Sequence, residues 1–154
     1  MIVWLSSYPR SGNTLLRTVL KRCMGLDSYA DEPLLIQSAV FSDAQYVGHR
    51  ELPATWPEFY AAATAAPEVA LVKTHLPPRD EQPFIYVVRD GRSAVRSYRK
   101  YYEKYLPDHR ASIYQIIAGD DAYGHWTSHY RAWMGRGAPV MLVRYEELLN
   151  IGPP

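Results

Sequence analysis

Ile2-Val3-Trp4-Leu5-Ser6-Ser7-Tyr8-Pro9-Arg10-Ser11-Gly12-Asn13-Thr14-Leu15-Leu16 is the stretch that decides the fold. The run Ile2 to Leu5 is apolar, too short for a helix, and stops at a polar, proline-containing segment, so it reads as a buried strand entering a loop. From Asn13 the apolar residues Leu15, Leu16, Val19, Leu20 and Cys23 or Met24 recur at spacings of three and four, and Gly25 is a natural stop, which predicts a helix. Between strand and helix, Gly12 permits a tight turn. The amides of residues 11 to 14 are then expected to face outward at the helix start, where the dipole favours an anion. Arg10 adds a charged fork and Thr14 a hydroxyl. The reading is a phosphate-binding loop. An ordinary strand-helix turn capped by serine or asparagine is the competing account.

The loop is not a Walker A sequence, which requires G-x-x-x-x-G-K-[ST]. Ser7 stands where the first glycine belongs and Asn13 where the lysine belongs, and the positive charge has moved ahead of the glycine to Arg10. Arg89 follows the apolar run Phe84 to Val88, at a strand end where a nucleotidase places a magnesium-holding aspartate. Both features suit an anion held without a metal.

Working outward, Val69 to Val72, Phe84 to Val88 and Val140 to Val143 are further short apolar strands. Helices are expected over about 34–40, 55–66, 93–105, 111–117 and 122–134, with a turn or helix from Arg144 to Leu149. Strands alternating with helices predict an α/β fold over residues 1–154 as a single domain. It has three layers, α/β/α, around a short, mostly parallel sheet of about four strands. Such sheets bind ligands at the carboxyl ends of their strands. Segments 6–14, 73–75 and 89–97 leave strand ends with polar or basic residues and are the candidate sites.

Composition narrows the classes. Of 154 residues, 47% are hydrophobic and 21% charged, with a formal net charge of +1, which excludes a largely disordered chain and a general nucleic-acid or membrane-surface binder. The single cysteine, Cys23, excludes an internal disulfide and a multi-cysteine zinc site and fits a reducing compartment. No apolar run approaches the ~20 residues that span a bilayer. No basic leader is evident, so membrane insertion is not expected and the location is read as cytoplasmic. His125 and His129 lie one helical turn apart, but no acidic third ligand accompanies them, so they are read as surface or core residues and no metal site is expected.

Tyr8-Pro9-Arg10-Ser11-Gly12-Asn13-Thr14 resembles the Tyr-Pro-Lys-Ser-Gly-Thr-Thr loop of the sulfotransferases that use 3′-phosphoadenosine 5′-phosphosulfate (PAPS). Lys73-Thr74-His75-Leu76-Pro77 resembles their catalytic segment. Arg89 and, eight residues on, Ser97 resemble the pair that grips the donor's 3′-phosphate. Tyr123-Gly124-His125-Trp126 and Arg144-Tyr145-Glu146-Glu147-Leu148 resemble two further blocks of the family, in the same order. The resemblance implies that Arg10, Ser11, Gly12, Asn13 and Thr14 hold the 5′-phosphosulfate, that Arg89 and Ser97 clamp the 3′-phosphate, and that Tyr145 contacts the adenine. It implies catalytic roles for His75 as general base, for Lys73 at the transferring sulfuryl group and for Arg10 at the leaving phosphate. PAPS would be the co-substrate, with no metal.

The sequence departs from the family at Arg10 for lysine, Asn13 for threonine, Leu15 for a tryptophan that stacks on adenine, and Ser93 for a frequent acidic residue. Family members also continue for roughly another hundred residues, to an Arg-Lys-Gly segment. The expected partner is a small-molecule or carbohydrate acceptor, and a homo-oligomer is left open. Tyr46, Trp56, Tyr60, Tyr102 and Tyr123 are candidates for an aromatic acceptor slot, and Tyr98, Tyr101, Tyr102 and Tyr105 share one face of the 93–105 helix in this reading. Two rival functions remain at this point: a non-catalytic or remnant nucleotide-binding domain, and a small P-loop nucleotide kinase.

Overall fold

The computed structural model describes residues 1–31, 45–105 and 111–150. In chain order the elements are β1 (Ile2–Ser7), α1 (Asn13–Met24), β2 (Tyr29–Ala30), α2 (Trp56–Ala65), β3 (Ala70–Thr74), β4 (Phe84–Val88), α3 (Gly91–Tyr105), α4 (Ile113–Ala118), α5 (Trp126–Met134), β5 (Val140–Arg144) and α6 (Tyr145–Leu148). The five strands form one sheet in the order β2-β3-β1-β4-β5, and every neighbouring pair is parallel.

Both faces of β1 are covered, as parallel pairing through helical crossovers requires. Ile2 and Trp4 meet Phe59 and Ala63 of α2 and Trp133 of α5 on one face. Leu5 meets Leu16 of α1 and Leu148 of α6 on the other. Full burial of each such side chain contributes roughly 1.5–3 kcal/mol, so the central strand is held from both sides. A third cluster of Tyr8, Ala94, Val95, Tyr98 and Ile116 ties α3 and α4 to the loop after β1. From β1 the chain builds β2 and β3 to one side, then crosses to β4 on the other. The carboxyl end of β1 is therefore the switch-point crevice where such sheets bind ligands.

The expected α/β architecture is observed, with differences in detail. Among the described residues there are five strands rather than about four, because β2 is only two residues long and no alternation can show in so short a run. Helix α5 starts at Trp126 rather than near 122. Asp121 Oδ1 accepts from the amides of Tyr123 and Gly124, each at 3.1 Å, which makes a turn there, and His125 Nδ1 then caps the helix by accepting from Thr127 N at 3.1 Å. Helix α3 starts at Gly91, with Asp90 Oδ1 accepting from Ser93 N at 2.9 Å. Thr55 and Glu58 form a capping box at the start of α2. The helix expected over 34–40 lies outside the described residues. Val140, Met141 and Leu142 of the edge strand β5 are 52%, 60% and 47% exposed, so that apolar run is not the doubly buried strand its composition suggests.

Candidate active site

The loop between β1 and α1 is shaped by two residues in left-handed conformations, Arg10 at φ 63° and Gly12 at φ 107°. Ser11 N donates back to Tyr8 O at 3.2 Å, closing the turn. Of the amides expected to face an anion, Ser11's is therefore used inside the loop, and those of Gly12, Asn13 and Thr14 remain at the helix start. Ser11 Oγ is buried with no hydrogen-bond partner. A strained loop with an orphaned hydroxyl at a helix N-terminus fits an anionic ligand better than it fits a capped turn.

Asn13 departs from its expected role. Its side chain is buried, and Nδ2 donates to Leu5 O at 2.7 Å and to Ser7 Oγ at 3.4 Å. The Nδ2 of the carboxamide ties the loop to β1, its Oδ1 is buried without a hydrogen-bond partner, and the backbone amide remains at the helix start. Thr14 is exposed, and its carbonyl accepts from Thr18 Oγ1 at 2.9 Å. Leu15 packs beside the Leu5 and Leu16 cluster.

Around the loop the fold assembles residues from four distant segments. Arg89, leaving β4, donates from Nη1 to Arg10 O at 2.9 Å, and its guanidinium lies 4.2 Å from the centre of the Tyr145 ring. Tyr145 lies against Gly12, and a Cβ on that glycine would be 2.5 Å from Tyr145 Cδ2. The Arg10 side chain reaches Ser97 of α3, Nε to Oγ at 3.4 Å, and stacks on Tyr101 at 4.9 Å. Arg10, Arg89, Ser97 and Tyr145 thus form one group. Arg10 stands with Ser97, on the α3 side of the loop.

Lys73 is buried near the end of β3, in register with Leu5 and Ala30, so it lies on the α1 side of the sheet. There Arg17 of α1 donates from Nε to Ser28 Oγ at 2.7 Å and from Nη2 to His49 Nδ1 at 3.2 Å. Burial lowers the Arg17 pKa to about 10. Burial, and then the charge of Arg17, lower the pKa of His49. Arg17 and His49 were not singled out from sequence. Their only signal was a cation on a helix and a histidine in a loop, which usually marks a solvated surface.

His75 follows β3 directly. Its Nδ1 donates to Ser7 O at 2.7 Å, with Ser7 Oγ at 3.3 Å. A carbonyl oxygen only accepts, so the proton sits on Nδ1 and the neutral ring carries its lone pair on Nε2. Tyr123 meets the ring edge-on at 5.9 Å. Behind it stand Tyr98 and Tyr102, whose hydroxyls are 3.0 Å apart, and Tyr8. Burial raises the pKa values of Tyr8 and Tyr98, so their phenols stay protonated.

The aromatic slot expected from sequence separates. Tyr102 and Tyr123 lie on the His75 side, whereas Trp56 and Tyr60 pack on Trp4 in the α2 layer, and Tyr46 is exposed beside Arg22. The tyrosines of α3 contact one another in two pairs, Tyr98 with Tyr102 and Tyr101 with Tyr105, each pair four residues apart and so one turn along the helix. Among the described residues no group of three or more His, Cys, Asp or Glu is placed to hold a metal ion. Nor is any helix there long and apolar enough to cross a membrane.

Residues 2–150 match the family model of the sulfotransferase domain. The chain belongs to the sulfotransferase family. The nucleotide-kinase reading is set aside accordingly. Among solved structures, this sulfotransferase domain is similar to mouse sulfotransferase SULT7A1, determined in complex with PAP. The TM-score is 0.65 at 20% identity, over 96% of this chain and 52% of the mouse chain. At that identity the likeness speaks for the fold, and the chain spans about half the length of the mouse protein. No curated protein matches the sequence.

Proposed function

We propose that the chain transfers a sulfuryl group from PAPS to a hydroxyl or amine of a small-molecule or carbohydrate acceptor, without a metal. The observation that carries this reading is the bond from His75 Nδ1 to Ser7 O, at 2.7 Å. It fixes the tautomer with a basic Nε2 on a histidine anchored to the residue that opens the anion loop. A neutral imidazole with one basic nitrogen is a suitable proton acceptor near neutral pH.

In this reading the amides of Gly12, Asn13 and Thr14 cradle the 5′-phosphosulfate, and Arg89 with Ser97 and Arg10 grips the 3′-phosphate. Tyr145, held against Gly12 and beside the Arg89 guanidinium, borders the adenine. His75 Nε2 takes the proton of the acceptor. The acceptor oxygen or nitrogen forms its bond to sulfur as the bond from sulfur to the bridging phosphate oxygen breaks, and PAP leaves with that electron pair. Lys73 and the loop amides stabilise the charge that gathers on the bridging oxygen, and Arg10 adds its charge from the clamp side. Tyr98, Tyr102 and Tyr123 line the acceptor side with rings suited to a flat alcohol or a sugar face.

Calorimetry with PAP and ATP, with and without a chelator, tests the donor site. PAP should bind more tightly than ATP and equally well in both buffers. Binding that vanishes with the chelator would sink the metal-free reading. In a labelled-PAPS assay over an acceptor panel, His75→Ala should lower turnover by ~10²–10⁴-fold and leave PAP affinity unchanged. Near-normal turnover of that variant would assign the base to another residue.

A further inference from the structure

We propose that His129 is a positioning residue that orients His75 by holding its backbone carbonyl. The inference rests on His75 being the base.

His129 sits in α5, far along the chain from the candidate site, yet it is only 3% exposed and reaches it directly. Its Nε2 lies 2.9 Å from His75 O, and its Nδ1 lies 2.8 Å from the Tyr86 hydroxyl. The two partners settle the protons. His75 O accepts, so Nε2 carries the hydrogen, and Nδ1 then accepts from Tyr86. Burial raises the Tyr86 pKa, which keeps that hydroxyl a donor. One turn further along α5, Trp133 Nε1 donates to Leu76 O at 3.1 Å. The helix therefore grips two successive carbonyls of the segment that carries the base.

The effect on His75 is geometric. The ring is held at one end by Nδ1 donating to Ser7 O, at 2.7 Å. The backbone behind it is held by His129. With both ends fixed, Nε2 has one direction in which to present its lone pair. Release of the carbonyl lets the segment after β3 shift, and displacements of about 1 Å at a reacting group can cost ~10²-fold in rate. Burial obliges both nitrogens of a neutral imidazole to find partners, and the choice of partners is what carries the role. Here both ring nitrogens are matched to fixed partners, on β4 and after β3.

The test reads the orientation of His75 itself. Two-bond 1H–15N spectra of the labelled wild-type protein, free and with PAP added, should show His75 Nδ1 as pyrrole-type and Nε2 as pyridine-type. In His129→Phe the two His75 shifts should converge toward those of a tautomer-exchanging imidazole, with PAP affinity within about two-fold of wild type. His129→Gln, whose amide can donate to the same carbonyl, should restore the wild-type pattern. A wild-type His75 pattern in His129→Phe would overturn the proposal, as would equal disturbance in the Phe and Gln variants. Should His129→Phe fail to fold by circular dichroism, Tyr86→Phe decides. It keeps the ring and removes only the hydroxyl that sets the His129 tautomer, so partial convergence supports the proposal and an unchanged His75 pattern refutes it. Failure of His75→Ala to slow turnover would instead strike the base assignment, and these spectra do not depend on that result.

Discussion

Gly12→Ala is the sharpest perturbation the structure offers. Gly12 has φ 107°, a conformation that costs an L side chain roughly 1–3 kcal/mol. The new Cβ would also lie 2.5 Å from Cδ2 and 3.2 Å from Cε2 of Tyr145, so the ring must move. Movement gives up the Arg89 stacking contact at 4.2 Å. Such a contact is worth ~0.5–1 kcal/mol at a partly exposed site. Together these predict a loss of about 1.5–4 kcal/mol, or roughly 10- to 700-fold in the folding equilibrium. Urea unfolding measures it, and the double-mutant cycle with Tyr145→Ala separates the parts. In the Tyr145→Ala background the clash is gone and only the backbone cost remains, so Gly12→Ala should cost about 1 kcal/mol less there. Equal cost in both backgrounds would refute the contact. A Gly12→Ala protein within ~0.5 kcal/mol of wild type would refute the strain as well.

Two further outcomes follow from the same geometry. Arg89→Ala should weaken PAP by roughly 10- to 150-fold and barely change affinity for nucleotides lacking a 3′-phosphate, since a charge-assisted bond is worth ~1.5–3 kcal/mol; equal losses in calorimetry would place Arg89 elsewhere. His49 faces Arg17, Lys73 and Glu51, and its folded pKa is lowered below the unfolded value by burial and then by Arg17. The folded state therefore binds fewer protons than the unfolded state in the window below pH ~6.5, so the His49 contribution is complete above that pH and is lost as pH falls toward the folded pKa. Urea midpoints over that window should decline less steeply in His49→Gln, and an identical decline would remove His49 as the cause.

The sequence alone determined what is local. Ile2 to Leu5, Gly12 and the three-and-four spacing from Leu15 to Leu20 specify strand, turn and helix, because backbone conformation and apolar periodicity act over a few residues. The same logic located the ends of β3 and β4, and so placed His75 and Arg89 at the sheet's carboxyl edge. Tertiary structure decided which side chains meet. Arg10 with Ser97, Tyr145 with Gly12, and His129 with the carbonyl of His75 join residues 87, 133 and 54 positions apart. No local pattern encodes those encounters. The sequence placed His125 and His129 one helical turn apart as surface or core residues, but only the tertiary structure shows that one caps α5 and the other is buried against Tyr86. Asn13 could be placed in the loop from sequence, but not turned inward to Leu5 O, because that orientation depends on where β1 ends against the helix start. The strand order β2-β3-β1-β4-β5 sets all of these, since parallel pairing with helical crossovers brings every carboxyl strand end to the same edge.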